Sequence, residues 1–129
     1  MLNPPCDTMQ YRCAIVDDEP LALDILENYI QRTPYLELVT KAVELKTIED
    51  LVAERKVDVV FMDVNLRGEN NKEFISRLMQ NDCVFILVTA YSSREVQHLF
   101  HRGKRGYLGK PASYKKFVGE MERLKIASS

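Results

Sequence analysis

No apolar run in this 129-residue chain approaches the ~18 residues that a membrane-spanning helix needs. The opening stretch MLNPPCDTMQ has neither the basic start nor the apolar core of a signal peptide. Cysteine is sparse. Cys6, Cys13 and Cys83 are odd in number and widely spaced, and they form neither a CxxC pair nor a Cys/His group at zinc spacing. These absences exclude a disulfide or zinc scaffold and point to the reducing cytoplasm. Charge of one sign is also missing. Lys and Arg number 18 against 19 Asp and Glu, a net charge of −1, so bulk charge gives no reason to bind a polyanion, which is driven by phosphate neutralisation. Neither GxxxxGK[ST] nor GxGxxG occurs, and no Ser or Cys nucleophile has a nearby His base. His98 and His101 lie three apart with no third ligand beside them, which falls short of a metal site.

What the chain does have is one domain's worth of core. A chain of this length buries roughly two thirds of its unfolded surface, enough to fold without staples. Residues 1–10, with two prolines and a second Met, read as a flexible leader, and residues 11–127 as the domain. Within it, short apolar runs alternate with stretches of helical period. The runs are Cys13–Val16, Leu36–Val39, Val57–Met62, Cys83–Val88 and a weaker Gly106–Leu108. Several are β-branched on both faces, as strands covered on both sides require. Between them fall five apolar stripes: Ala22, Ile25, Leu26, Tyr29 and Ile30; Leu45, Ile48 and Val52; Phe74, Ile75, Leu78 and Met79; Val96, Leu99 and Phe100; and Tyr114, Phe117, Met121 and Leu124. Strands alternating with helices imply an α/β fold, a five-stranded parallel sheet doubly wound with helices on both faces. In such sheets ligands bind beyond the carboxyl ends of the strands.

Polar residues stand at those ends. The first run stops at Asp17-Asp18-Glu19, the third at Asp63 and the fourth at Thr89, while Lys110-Pro111 follows the fifth. With the first and third strands adjacent, carboxylates distant in sequence converge. Two unit charges ~4 Å apart at an effective dielectric near 20 repel by roughly 4 kcal/mol, so the cluster calls for a cation or a proton. Oxygen-only ligands suit a hard ion such as Mg²⁺, which keeps waters that a phosphate can replace. Each residue also has a plainer reading. An Asp pair after a strand can serve as turn and helix cap, and Thr89 or Lys110 alone is unremarked surface chemistry. Asp63 is harder to dismiss, because it follows four apolar residues and a buried unpaired carboxylate is costly.

These residues stand in segments with a family likeness. Ile15-Val-Asp-Asp-Glu-Pro-Leu-Ala-Leu23, Asp58-Val-Val-Phe-Met-Asp-Val-Asn-Leu66, Leu87-Val-Thr-Ala-Tyr-Ser92 and Tyr107-Leu-Gly-Lys-Pro111 resemble the receiver domain of two-component response regulators, in order and spacing, from about Tyr11 to Leu124. The DDEPLAL and LVTAYS wording is similar to receivers that precede a LytTR-type DNA-binding domain. The resemblance implies a flavodoxin-like strand order 2-1-3-4-5 and a cytoplasmic signalling domain rather than an ordinary enzyme. It implies that Asp63 accepts a phosphoryl group from a sensor histidine kinase. Asp18 would ligate Mg²⁺ directly, Asp17 largely through water, and Asn65 through its backbone carbonyl. Thr89 and Lys110 would bind phosphoryl oxygens, and Tyr107 would be the switching aromatic that turns inward. The face made by the fourth helix, fifth strand and fifth helix would carry the output, including a homodimer, and DNA would be met only through an output domain beyond this chain. Two alternatives stand beside it: a pseudo-receiver that never carries phosphate, and an aspartate-nucleophile phosphatase, which normally needs an acid where Asn65 stands.

Three departures from the family pattern stand out. Leu66-Arg67-Gly68 replaces the usual Met-Pro-Gly, with Asn71 and Lys72 where Gly and an apolar residue are usual, so Arg67 is expected to tune phosphoryl lifetime or the kinase contact. His101-Arg102-Gly103-Lys104-Arg105 is basic where small or apolar residues are usual, and reads as a solvated face or as a contact for an acidic partner, a second protomer, or DNA beside a partner domain. Gly109, usually apolar, is expected to loosen the approach to Lys110, whose bond to Pro111 the resemblance suggests is cis.

Overall fold

The computed structural model describes residues 10–63, 72–97, 105–124 and 126. Five strands, β1 (Tyr11–Val16), β2 (Leu36–Ala42), β3 (Val59–Met62), β4 (Val84–Thr89) and β5 (Arg105–Gly109), alternate with α1 (Pro20–Gln31), α2 (Leu45–Ala53), α3 (Lys72–Leu78), α4 (Ser93–Val96) and α5 (Tyr114–Arg123). All four strand pairings are parallel, in the order β2-β1-β3-β4-β5. Each expected apolar run lies in or overlaps a strand, with no end moved by more than three residues.

Burial explains why the strands read as unbroken apolar runs. β3 is buried at every position, because side chains alternate between two cores. On one face Val60, Met62, Phe85 and Leu87 pack with Ile48, Ile75 and Val96; on the other Ile15, Phe61 and Ile86 pack with Leu26, Ile30, Phe117 and Met121. The α2 stripe is buried as its period predicts. That of α1 is divided: Leu26 and Ile30 are buried, whereas Ile25 is 40% exposed. Leu99 and Phe100 lie outside the described residues, as does the side chain of Phe74.

Local chemistry sets the helix ends. Pro20 opens α1 with a ring already at helical φ. Ser92 and Glu95 form a reciprocal capping box on α4, and the Ser113 hydroxyl accepts from Lys116 N–H at the start of α5. At the amino end of the sheet the Arg12 side chain donates to both carboxylate oxygens of Asp58, each at 3.1 Å. Partial burial works to raise the Asp58 pKa, but these bonds and the neighbouring charge outweigh it and hold the carboxyl below its usual value.

Arg105 does not belong to a solvated basic face: it begins β5, is 9% exposed, and lays its guanidinium 5.0 Å from the Phe85 ring centre. It donates to the backbone carbonyls of Met79 and Cys83, just past α3. Strand alternation turns it to the same face as Tyr107, where the carbonyls ending a helix need donors and favour a cation. The rest of that cluster, His101 to Lys104, lies outside the described residues, as do His98, Arg67 and Asn71.

The free edge of β5 is covered by α5. Tyr107 N–H donates to Glu120 Oε2 at 2.8 Å, and Arg123, paired with Glu120 at 2.7 Å, donates to the Arg105 carbonyl at 3.1 Å. This close approach needs Gly106, where a Cβ would stand 2.9 Å from Leu124 Cδ1 and 3.0 Å from Glu120 Oε2.

Candidate functional site

The strand order reverses between β1 and β3. The crevice this opens lies at their carboxyl ends. Register aligns Val16 with Met62, so the next residues, Asp17 and Asp63, emerge side by side, with Asp63 N–H donating to the Val16 carbonyl at 3.3 Å. From the far side, Lys110 N–H donates to the Thr89 carbonyl at 2.8 Å, and Lys110-Pro111 is cis. The Lys110 ammonium reaches across the sheet to Asp17 at 2.7 Å and Asp63 at 2.9 Å.

A third carboxylate, which sequence reasoning missed, completes the group. Glu19 Oε1 lies 3.0 Å from Lys110 Nζ, and oxygens of Asp17, Glu19 and Asp63 all fall within 4.8 Å of one another. Asp18 is partly exposed and is not one of these three. Asn65 lies outside the described residues. The sequence hint to Glu19 was its place beside the Asp pair at the end of the first run.

Electrostatics fix the charge states. Burial pushes the Asp17 carboxyl above its ordinary value, against hydrogen bonds from Lys110 and from Glu19 N–H at 3.0 Å that pull it down. For Lys110, burial works to lower the pKa, but the bonds to Asp17, Asp63 and Glu19 outweigh it and raise it, so the ammonium is retained at neutral pH. Thr89 is 1% exposed at the end of β4, and its Oγ1 accepts from Tyr91 N–H at 3.2 Å. That bond leaves the Thr89 O–H as a donor.

Tyr107 is half-buried and its hydroxyl donates to the Tyr91 carbonyl at 2.7 Å. Thr89 and Tyr107 therefore hold the same loop residue, one by its N–H and the other by its carbonyl. Gly109 makes room for a neighbouring ring. A Cβ there would stand 2.9 Å from Tyr107 Oη and 3.5 Å from the ring, so Gly109 provides the space that Tyr107 occupies. Gly109→Ala is expected to displace the ring and break its bond to Tyr91, at a stability cost of no more than about 1 kcal/mol because a side-chain tip can move aside. Ring resonances of Tyr107 in labelled protein and a urea midpoint check this, and an unmoved ring would contradict it.

Beside the ammonium runs an apolar groove of about 310 Å³ between α1 and the segment after β5, lined by Leu21, Ile25, Tyr29 and Pro111 among others. Tyr29 hydroxyl donates to the Ala112 carbonyl at 2.8 Å and fixes its floor. Leu21 is 70% exposed at its rim. Elsewhere, Cys13 is buried, which pushes its thiol up to about 12 and rules out a thiolate at neutral pH.

A doubly wound parallel sheet with acidic residues at its β1 and β3 ends, a Thr at β4 and a Lys after β5 defines a class of signalling domain. The sequence signature of the response regulator receiver domain matches residues 13–122, and the chain belongs to that family. It is 30% identical over 116 residues to the sensory transduction protein LytT of Bacillus subtilis (strain 168), a match covering 88% of this chain and 48% of that protein. It is 27% identical over 120 residues to the transcriptional regulatory protein LytR of Staphylococcus aureus (strain N315), covering 92% and 48%. The chain thus spans about half the length of these relatives. Among solved structures, a LuxR-family two-component response regulator from Aurantimonas sp. SI85-9A1 superposes with a TM-score of 0.76 at 25% identity, covering 92% of this chain and 86% of that one. Among the described residues, no helix is long and apolar enough to cross a membrane.

Proposed function

We propose that this chain is a Mg²⁺-dependent phosphoacceptor switch in which Asp63 takes a phosphoryl group from a phosphohistidine of a sensor kinase. The observation that carries this reading is the Lys110 ammonium held against Asp17 and Asp63 at the carboxyl ends of two adjacent strands. A carboxylate is a weak nucleophile, so catalysis here is charge neutralisation and alignment. An Asp63 oxygen bonds to phosphorus as the donor's P–N bond breaks, and the electron pair returns to the imidazole nitrogen. Lys110 follows a phosphoryl oxygen, and the Thr89 hydroxyl donates to another.

The residues present fit a hard cation: the donors are oxygens only, and three carboxylates share one ammonium in a partly buried crevice. Asp17, Asp18, Asp63 and the Asn65 carbonyl would hold Mg²⁺, which when bound supplies positive charge to phosphoryl oxygens. The new group brings roughly −1.5 to −2 charge and strong acceptors. Thr89, drawn toward it, would pull on Tyr91 and so on Tyr107, shifting the populations of the α4-β5-α5 face. That face would serve a homodimer, and transcription would be regulated through a DNA-binding output domain outside this chain. The kinase would cover the exposed Leu21 and Ile25, which adjoin the acceptor site.

Incubation with a small phosphodonor and Mg²⁺, followed by intact mass, tests the reading. The expected result is a phosphate-sized gain abolished by EDTA and by Asp63→Asn. No gain in the wild type, where a control receiver reacts, would instead make this an interaction module that never carries phosphate. A gain that survives Asp63→Asn would place the acceptor elsewhere.

A further inference from the structure

All three donors of the Lys110 ammonium are engaged by carboxylates: Asp17 at 2.7 Å, Asp63 at 2.9 Å and Glu19 at 3.0 Å. An ammonium has three N–H bonds, so Lys110 must release one partner before it can pair with a phosphoryl oxygen. The three partners differ in what release costs. The side chains of Asp17 and Asp63 are 1% and 12% exposed, whereas that of Glu19 is 66% exposed. Leaving a buried carboxylate unpaired is expensive, and returning an exposed one to water is not.

Glu19 also has no competing structural duty through its side chain. It stands at the N-cap of α1 but makes no side-chain cap bond there. Its backbone supplies the local ties, with the N–H donating to Asp17 and the carbonyl accepting from Leu23 N–H at 3.2 Å.

We propose that Glu19 is a displaceable counterion, a positioning residue that holds Lys110 in the unphosphorylated site and competes with the incoming phosphoryl group for it. The inference rests on Asp63 being the acceptor, and it deepens that reading by making the charge of the phosphodonor a determinant of rate. A dianionic donor meets both the repulsion of Glu19 and its hold on Lys110. A monoanionic donor meets the same hold and less of the repulsion. After transfer, a Glu19 still able to reclaim Lys110 shortens the life of the phosphoryl group.

Glu19→Gln keeps the length and an acceptor oxygen and removes the charge. Wild type and variant are compared at saturating Mg²⁺ with acetyl phosphate, a dianion, and phosphoramidate, a monoanion, by intact mass against time. The expected result is a rise of about tenfold in the acetyl phosphate rate, the low end of charge steering. The rise with phosphoramidate is smaller, the acetyl phosphate gap between variant and wild type narrows in added salt, and dephosphorylation of the variant is slower. A merely structural role would move both donors alike. Equal changes for the two donors, or slower phosphorylation by both, would overturn the proposal. A wild type that gains phosphate from neither donor, beside a control receiver that does, overturns the acceptor reading itself and this proposal with it.

Discussion

Lys110→Met is expected to destabilise the folded domain by about 3 kcal/mol at neutral pH, the scale of breaking a buried ion pair from one side. The substitution keeps most of the side-chain volume and leaves Asp17, Glu19 and Asp63, now without the ammonium, facing one another. Only Glu19 can turn to water. Asp17, which burial already pushes above its ordinary pKa, is pushed further. A folded-state pKa above the unfolded value means that the folded protein binds the proton more readily, so stability falls as pH rises through that interval and recovers as pH falls toward about 4. The deficit is therefore largest at pH 7 and shrinks on acidification. In the wild type Lys110 follows the same sign at a higher pH interval. Its raised pKa contributes stability that is fully present below about 10.4 and is lost only as pH climbs through the folded value. Urea midpoints at pH 7 and pH 5 measure the difference, and Mg²⁺ is expected to restore part of it. An equal deficit at both pH values, unmoved by Mg²⁺, would contradict the account.

Phe117→Ala is the second large effect, with an expected loss of about 3–5 kcal/mol, a substantial share of the roughly 5–15 kcal/mol that holds a domain folded. The Phe117 ring is fully buried between α5 and the sheet, stacked 5.3 Å from Phe61 and tilted 5.5 Å from Tyr29. No rim of solvent can relax into the space, so the cavity term adds to the lost transfer energy. The site will feel it too. Phe61 stands two residues before Asp63, and Tyr29 holds the Ala112 carbonyl beyond Lys110, so both anchors of the crevice lose a packing partner. Phe117→Leu, which keeps most of the volume, is expected to cost no more than about 1.5 kcal/mol. Chemical denaturation of the pair checks both figures, and two variants close to wild type would show that this cluster collapses without penalty.

The sheet and its two cores were legible because strands covered on both faces leave a signature that few other structures share: Val57–Met62 and Cys83–Val88 are too short for helices and too apolar for loops. The meeting of Asp17, Asp63 and Lys110 followed from strand ends once the first and third strands were taken as neighbours. Which strands are neighbours did not follow from period or composition and came with the family likeness. The part of Glu19 in the site and the burial of Arg105 were not legible, for one physical reason. A long charged side chain goes where distant chain supplies a partner, and neither the Lys110 ammonium nor the carbonyls past α3 adjoin them in sequence. At Gly109 the sequence shows a missing side chain and not the Tyr107 ring that fills its place.

The covering of β5 by Glu120 and Arg123 reaches beyond the fold. An open strand edge is a template on which another chain can build, and here two of its backbone groups are already taken by a charged pair from the neighbouring helix. A second copy arriving at this side meets carboxylate and guanidinium instead of a vacant row of amides and carbonyls. Sheet cannot continue from one molecule into the next without first evicting that pair. Any association over this face would thereby be confined to side chains, which can be rearranged and reversed.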